Sequence, residues 1–308
     1  QTLIPQRETF NYLQNDSKYG EDIDTADAWI EAGWNVGIFY WNQFADEDEV
    51  KNAETKIHTA EGPQRMRWRR CDGTWVEDGS PTISASELFY ESYVAALADY
   101  QGTNIRVVGH SLGNQMATVM ARHLQNHITA GEAPAYLMPT RIALLDPFWS
   151  NWGKSYLGGD WPGEVARDDV RDLIETSDVI FERYTSSNIG GFILVGDENA
   201  KLSRDIIGNT EYIPRWTPNT AQGERHVAAP FMYFDSFAHR PPEGCFELPP
   251  PAGGRNCDLI GPSAATSDEL MREMMNGQYR WRQHFGEDTP DGDDNRFERT
   301  DIEYDDRR

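Results

Sequence analysis

An α/β fold built on a mostly parallel sheet flanked by helices is what this sequence predicts, from three observations. Over the first two-thirds, apolar strand-like runs alternate with longer amphipathic stretches, the pattern of βαβ units. At Gly109–Gly113 the string GHSLG joins a β-branched run to a small-residue helical stretch, as a strand–turn–helix junction does. The composition, 38% hydrophobic and 12% aromatic, supplies too much core material for a mostly disordered chain.

The elements follow in order. Asn35–Phe44 (NVGIFYWNQF) reads as a buried strand. Ser84–Tyr100 places Leu88, Tyr93, Ala96 and Leu97 near one helical face, and Gly102 stops it. Asn104–Gly109 is a short strand, and Leu112–Leu124 a helix. Arg141–Asp146 (RIALLD) is another strand, ended by Pro147. Ser177–Tyr184, Ile189–Val195 and Tyr212–Trp216 are further strand candidates. Ser267–Asn276 reads as a helix whose three methionines fill core gaps. No repeat emerges at periods of about 20 to 50 residues. Residues 1–286 are expected to form one domain, and Glu287–Arg308, dense in acids and nearly without aliphatics, an acidic, solvated and partly disordered tail, with a partner-binding acidic tail as the alternative.

Charge narrows the function classes. Twenty-eight basic against 51 acidic side chains give a net charge of −23. Nucleic acid is therefore excluded as a partner, because phosphate contacts need clustered Lys and Arg. Docking on an anionic bilayer is disfavoured for the same reason. No apolar run approaches the ~20 residues that span a membrane. Cys245 and Cys257 bracket a Pro/Gly-rich segment that closes easily into a loop, leaving either that bridge or three reduced thiols. The glycosylation-type triplet Asn15-Asp16-Ser17 fits an extracellular location, which is the expected one.

The sharpest chemistry lies at GHSLG. A strand-to-helix turn there holds Ser111 exposed, flanking glycines remove Cβ atoms from the bend, and the helix start aims free N–H groups beside the serine. A serine nucleophile needs a base, and the base an orienting acid. Of seven histidines, His226 closes a polar loop and opens the run HVAAPFMYFDSF, where a base could reach over the turn. His58 reads as surface, His110 as packing, and His123 and His127 as solvent-facing or capping residues, while His239 and His284 stay open as bases without a distinctive neighbourhood. Asp146 and Asp197 both follow apolar strands and compete for the acid on nearly equal terms. The loop after Asp146 carries Phe148, Trp149 and Trp152, read either as a packed subdomain or as a substrate-binding groove.

Taken together, GHSLG, then LLDP at Leu144–Pro147, then His226 with Tyr233, Asp235 and Ser236 at matching places, resemble the pancreatic-lipase family over roughly residues 35–240. NVGIFYWNQFA resembles the family strand that ends in Asp-Trp, with Tyr40-Trp41 in place of that pair. The resemblance implies an α/β-hydrolase fold and a Ser111–His226–Asp146 triad hydrolysing carboxylic esters through an acyl-enzyme. Acylglycerol lipid is the expected substrate, with transient contact at a lipid interface, and neither cofactor nor metal. Phospholipase A1, an esterase for soluble esters, and a catalytically silent lipid-binding or storage protein are the alternatives. The Leu112 backbone N–H is expected to serve as one oxyanion donor. The second donor is unknown, because no His-Gly pair precedes Asn35 where the family holds it. The family's N-terminal strands also lack counterparts. The expectation is a chain cleaved just past the oxyanion turn, before Gln1–Thr9, and an incomplete sheet unless a separate N-terminal segment completes it. The family's calcium site has no clean match around Glu164–Asp178, and no disulfide-bounded lid precedes His226.

Overall fold

The computed structural model describes residues 13–15, 22–190, 202, 206–248, 253–277 and 279–301. Three short strands form the parallel centre of the sheet: β5 (Arg106–His110), β6 (Arg141–Leu145) and β7 (Ile180–Thr185). They pair in parallel, with His110 opposite Leu145 and Leu145 opposite Tyr184. The strands β8 (Asn209–Glu211) and β11 (Tyr279–Phe285) continue the parallel run. Beyond them, β12 (Arg296–Asp301) is antiparallel to β11 and parallel to β9 (Glu243–Glu247), and β10 (Arg255–Ile260) closes that side antiparallel to β9. The eight-stranded order is β10-β9-β12-β11-β8-β7-β6-β5, an α/β sheet with mostly parallel strands. Among the described residues no strand pairs with the outer edge of β5, so it forms one border.

Helices cover both faces. On one, Val107, Ile142, Leu144 and Phe181 pack under α4 (Ala85–Ala96), α5 (Gly113–Thr129) and α6 (Pro162–Ser177) through Tyr93, Met120, Leu124, Val170 and Leu173. A capping box between Ser84 and Glu87 starts α4, and a proline in the first turn starts α6. On the other face, Ala143, Leu145 and Tyr184 meet Trp29 of α1 (Thr25–Glu31) and Ala229 and Tyr233 of a helix over Ala228–Phe234. That face buries a charge pair. Arg141 donates twice to Glu182 at 2.6 Å, while the hydroxyls of Tyr184 and Tyr233 donate to the same carboxylate at 2.8 and 2.6 Å. Satisfying every lone pair in this way is what makes a buried ion pair tolerable.

Several expectations change. Residues 35–41 pair with no strand among the described residues, and Asn42–Ala45 is a short helix, α2. The reason is exposure: Val36 and Tyr40 face solvent, whereas a buried strand would need a hydrogen-bonded neighbour on each side. The strand expected over Tyr212–Trp216 lies three residues earlier, as β8. Ile189 and Gly190 form a turn, and the rest of Ile189–Val195 lies outside the described residues. The antiparallel pair β1 (Leu13–Asn15) and β2 (Asp22–Asp24) stands apart from the main sheet, as does the hairpin β3 (Trp68–Arg69) with β4 (Trp75–Val76). Cys245 and Cys257 form a disulfide joining β9 to β10, and Cys71 is free and exposed.

The expected acidic, disordered tail is corrected most sharply. Its residues 296–301 are β12, inside the sheet, so the boundary at 286/287 falls within the β11–β12 hairpin. A strand needs little apolar material when only one face is buried. Phe297 supplies that face, while Arg296 pairs with Glu243 at 2.6 Å and Glu298 with Arg255 at 2.9 Å outside it. Phe297→Ala is expected to cost about 3–5 kcal/mol in urea unfolding. A loss below about 1 kcal/mol would return these residues to a solvated tail.

Candidate active site

At the end of β5 the chain turns into α5 through Ser111, whose φ is +55°. This left-handed conformation is uncommon for a residue with a Cβ and marks a held turn. The Ser111 N–H donates to the Leu145 carbonyl at 3.2 Å, and the buried Asn114 amide donates to the Ser111 and Leu145 carbonyls, each at 2.9 Å. The two glycines differ. A Cβ on Gly109 would sit 2.2 Å from the Gly113 carbonyl oxygen, whereas one on Gly113 would meet open space. Only Gly109 is sterically required. Among the described residues the Leu112 N–H has no acceptor, as expected of the first amides of a helix.

One strand over, Asp146 follows β6 at φ +41°, its N–H donating to the Tyr184 carbonyl at 2.7 Å. Its carboxylate is enclosed by donors. His226 Nδ1 donates to Oδ2 at 2.6 Å, the amides of Ser186 and Ser187 donate to Oδ1 at 3.0 and 3.3 Å, and the Ser187 hydroxyl also donates to Oδ2. Because a carboxylate only accepts, Nδ1 carries the ring proton of neutral His226, and Nε2 is its basic nitrogen. Among the described residues the Ser111 hydroxyl makes no hydrogen bond to that nitrogen; such contacts commonly tighten only with substrate. His226 ends α7 (Gln222–His226), and α8 (Ala228–Phe234) follows after one residue.

Two titratable residues flank the pair. His110, half-buried, packs its ring 4.4 Å from that of His226, and its Nε2 lies 2.9 Å from the His226 carbonyl. Burial, then the neighbouring His226, push the His110 pKa down to about 3. Buried Arg183 on β7 has its pKa lowered to about 10 by burial, with Asp146 pulling the other way.

The site thus brings together Asp146 and His226, with Ser111 on the adjoining strand end. Asp197, the rival acid, lies outside the described residues. The aromatic loop divides differently from the groove reading. Phe148 and Trp149 are 8% and 2% exposed, so Trp149 belongs to the core, and only Trp152, 70% exposed and 5.4 Å from the Trp161 ring, faces solvent. The physical reason is an anchor on α3 (Val50–His58). Its buried Glu54 accepts from the Ser150 amide at 2.9 Å and the Gln115 side chain at 2.7 Å, while Gln115 holds the Phe148 carbonyl at 2.9 Å. His58, expected at the surface, is half-buried against Gln115 at 2.9 Å, and enclosure lowers its pKa. His239, Asp291 and Asp293 bring one ligand atom each within 4.8 Å, but Arg240 already donates to Asp293.

Sequence reasoning missed Ser186 and Ser187. The available signal was their position directly after β7, where polar residues at adjacent parallel strand ends converge. It also missed the hydrogen-bonding role of His110. Comparison with known proteins found no matching family model, no matching curated protein and no matching solved structure.

Two expected outcomes follow from this geometry. Gly109→Ala should destabilise by at least about 1–3 kcal/mol through backbone overlap, while Gly113→Ala should be near neutral in the same denaturation assay; equal costs would contradict the assignment. The second concerns acid. Unfolded His110 binds its proton near 6.5 and the folded residue only near about 3, so the unfolded chain holds more protons between those values. The stability from keeping it neutral is complete above 6.5 and is lost as pH falls toward 3. Wild-type protein should lose up to about 2 kcal/mol from this residue between pH 7 and 5. His110→Gln should lose correspondingly less; identical losses would exclude His110 as the source.

Proposed function

We propose that this chain is a serine-dependent carboxylic ester hydrolase of the α/β-hydrolase type. The observation that carries the reading is the 2.6 Å hydrogen bond from His226 to Asp146, formed beside a serine held at φ +55° on the neighbouring strand end. In the reaction, Ser111 Oγ attacks the ester carbonyl carbon while His226 Nε2 takes its proton. The oxyanion forms against the Leu112 N–H, and Asp146 stabilises the imidazolium. The carbon–oxygen bond to the leaving group breaks as His226 returns the proton to the alkoxide. Water, deprotonated by His226, then attacks the acyl-enzyme and releases the acid and free Ser111. No cofactor enters these steps. The outer edge of β5, with which no strand among the described residues pairs, supports a companion reading in which a separate segment adds a strand there and brings the second oxyanion donor.

For the substrate we favour an uncharged acylglycerol ester over a phospholipid, since a chain of net charge −23 repels anionic interfaces. The exposed Trp152 beside Trp161 supports transient contact with a lipid surface. Burial of Phe148 and Trp149 favours a second reading, a soluble-ester carboxylesterase, because it removes most of the anticipated acyl groove. The disulfide supports an extracellular location, and among the described residues no helix is long and apolar enough to cross a membrane.

A fluorophosphonate probe should label the wild type and not Ser111→Ala, and Asp146→Asn should lower kcat about 10⁴-fold. No wild-type labelling would leave a non-catalytic lipid-binding protein. A panel of short esters, triglyceride emulsion and phospholipid ranks the substrates; dominant phospholipid cleavage would reverse our preference.

A further inference from the structure

The carbonyl of His226 sits at a break between two helices. Were α7 continuous with α8, the amide of residue 230 would donate to that carbonyl, four residues back. Residue 230 is Pro, which has no N–H and whose ring crowds that same oxygen. The chain therefore divides at Val227, which caps both helices, and its freed backbone groups find side-chain partners. The Ser186 hydroxyl donates to the Arg225 carbonyl at 2.6 Å and accepts from the Ala229 amide at 3.1 Å. The His226 carbonyl is met by His110 Nε2 at 2.9 Å. A carbonyl can only accept, so Nε2 carries the proton, and the tautomer of His110 is set.

His110 is the last residue of β5 and immediately precedes Ser111. One rigid strand end thus carries both the nucleophile and a hydrogen bond to the backbone of the base. Asp146 orients the ring of His226 from its Nδ1 side, but a ring hydrogen bond alone does not stop the residue from swinging as its backbone shifts. A neutral His110 also places no charge against the imidazolium that forms on His226, in keeping with its strongly depressed pKa.

We propose that His110 is a positioning residue whose Nε2–H, donated to the His226 carbonyl, sets where the catalytic base stands relative to Ser111. The inference rests on the ester-hydrolase reading above. His110→Phe keeps a ring and removes the donor; His110→Gln keeps an N–H of similar reach. The rate of Ser111 labelling by a fluorophosphonate should fall about 10- to 100-fold in His110→Phe, as expected for a slightly misplaced base. It should recover most of the way in His110→Gln, with thermal unfolding recorded for both to separate folding from positioning. The second readout needs no turnover: the downfield proton resonance of His226 Nδ1–H, identified by its loss in Asp146→Asn. It should shift or broaden in His110→Phe and return in His110→Gln.

Unchanged labelling and resonance in His110→Phe would overturn the proposal. Equal impairment in both variants would also overturn it, showing that only the packing of the imidazole matters. If the wild type itself is not labelled, the hydrolase reading fails, and the resonance still decides whether His110 holds His226.

Discussion

Three parallel strands that stop together are the constraint on which the candidate site depends. His110, Leu145 and Tyr184 lie side by side in register, so the residues that follow them emerge at one edge of the sheet. Ser111 comes from the first strand, Asp146 from the second, and Ser186 and Ser187 from just past the third. A slip of one residue between β6 and β7 would turn every side chain of a strand to the opposite face. The buried Arg141–Glu182 pair opposes such a slip, because it joins these two strands and is lined by Tyr184 and Tyr233. Through Tyr233 the same cluster holds α8, the helix that follows His226.

Strain and its compensation meet at this edge. Ser111 and Asp146 both have positive φ without being glycine, a combination that costs on the order of 1–3 kcal/mol each. Each is held by backbone hydrogen bonds to the neighbouring strand, at 3.2 and 2.7 Å. The carboxylate adds contacts from Ser186, Ser187 and His226. The helix break at Pro230 releases backbone groups that Ser186 and His110 then occupy, so polar side chains otherwise unremarkable in the sequence knit Asp146, His226 and the end of β5 together.

The parts legible in the sequence were those whose signal is local. A strand–GHSLG–helix junction, an apolar strand ending in Asp-Pro, and a histidine before a helical aromatic run all carry their own context, and the structure brings Asp146 and His226 into contact. What escaped depends on partners distant along the chain. Asn35–Tyr40 has the composition of a strand, but a strand exists only if a neighbour supplies its hydrogen bonds, and that is not encoded within the segment. The reverse error occurred at Arg296–Asp301, where charges concealed a strand because their partners, Glu243 and Arg255, lie some 50 and 40 residues away. Trp149 was read from hydrophobicity alone, which cannot distinguish a groove wall from a core; the buried Glu54 on α3 turns that loop inward.

The two borders of the sheet are unlike. At one, Cys245–Cys257 ties the border strand β10 covalently to β9, so β10 cannot separate from its neighbour while that bond lasts. At the other, no strand among the described residues pairs with the outer edge of β5, and an open strand edge is the kind that invites a strand from another molecule. A second copy of this chain arrives with its own net charge of −23. Repulsion between two copies is long-ranged in dilute electrolyte, where the Debye length is about 30 Å, and relaxes near 1 M salt, where it shrinks to about 3 Å. The excess of acid thus weighs against self-association at any open edge, more strongly in dilute electrolyte than in concentrated salt.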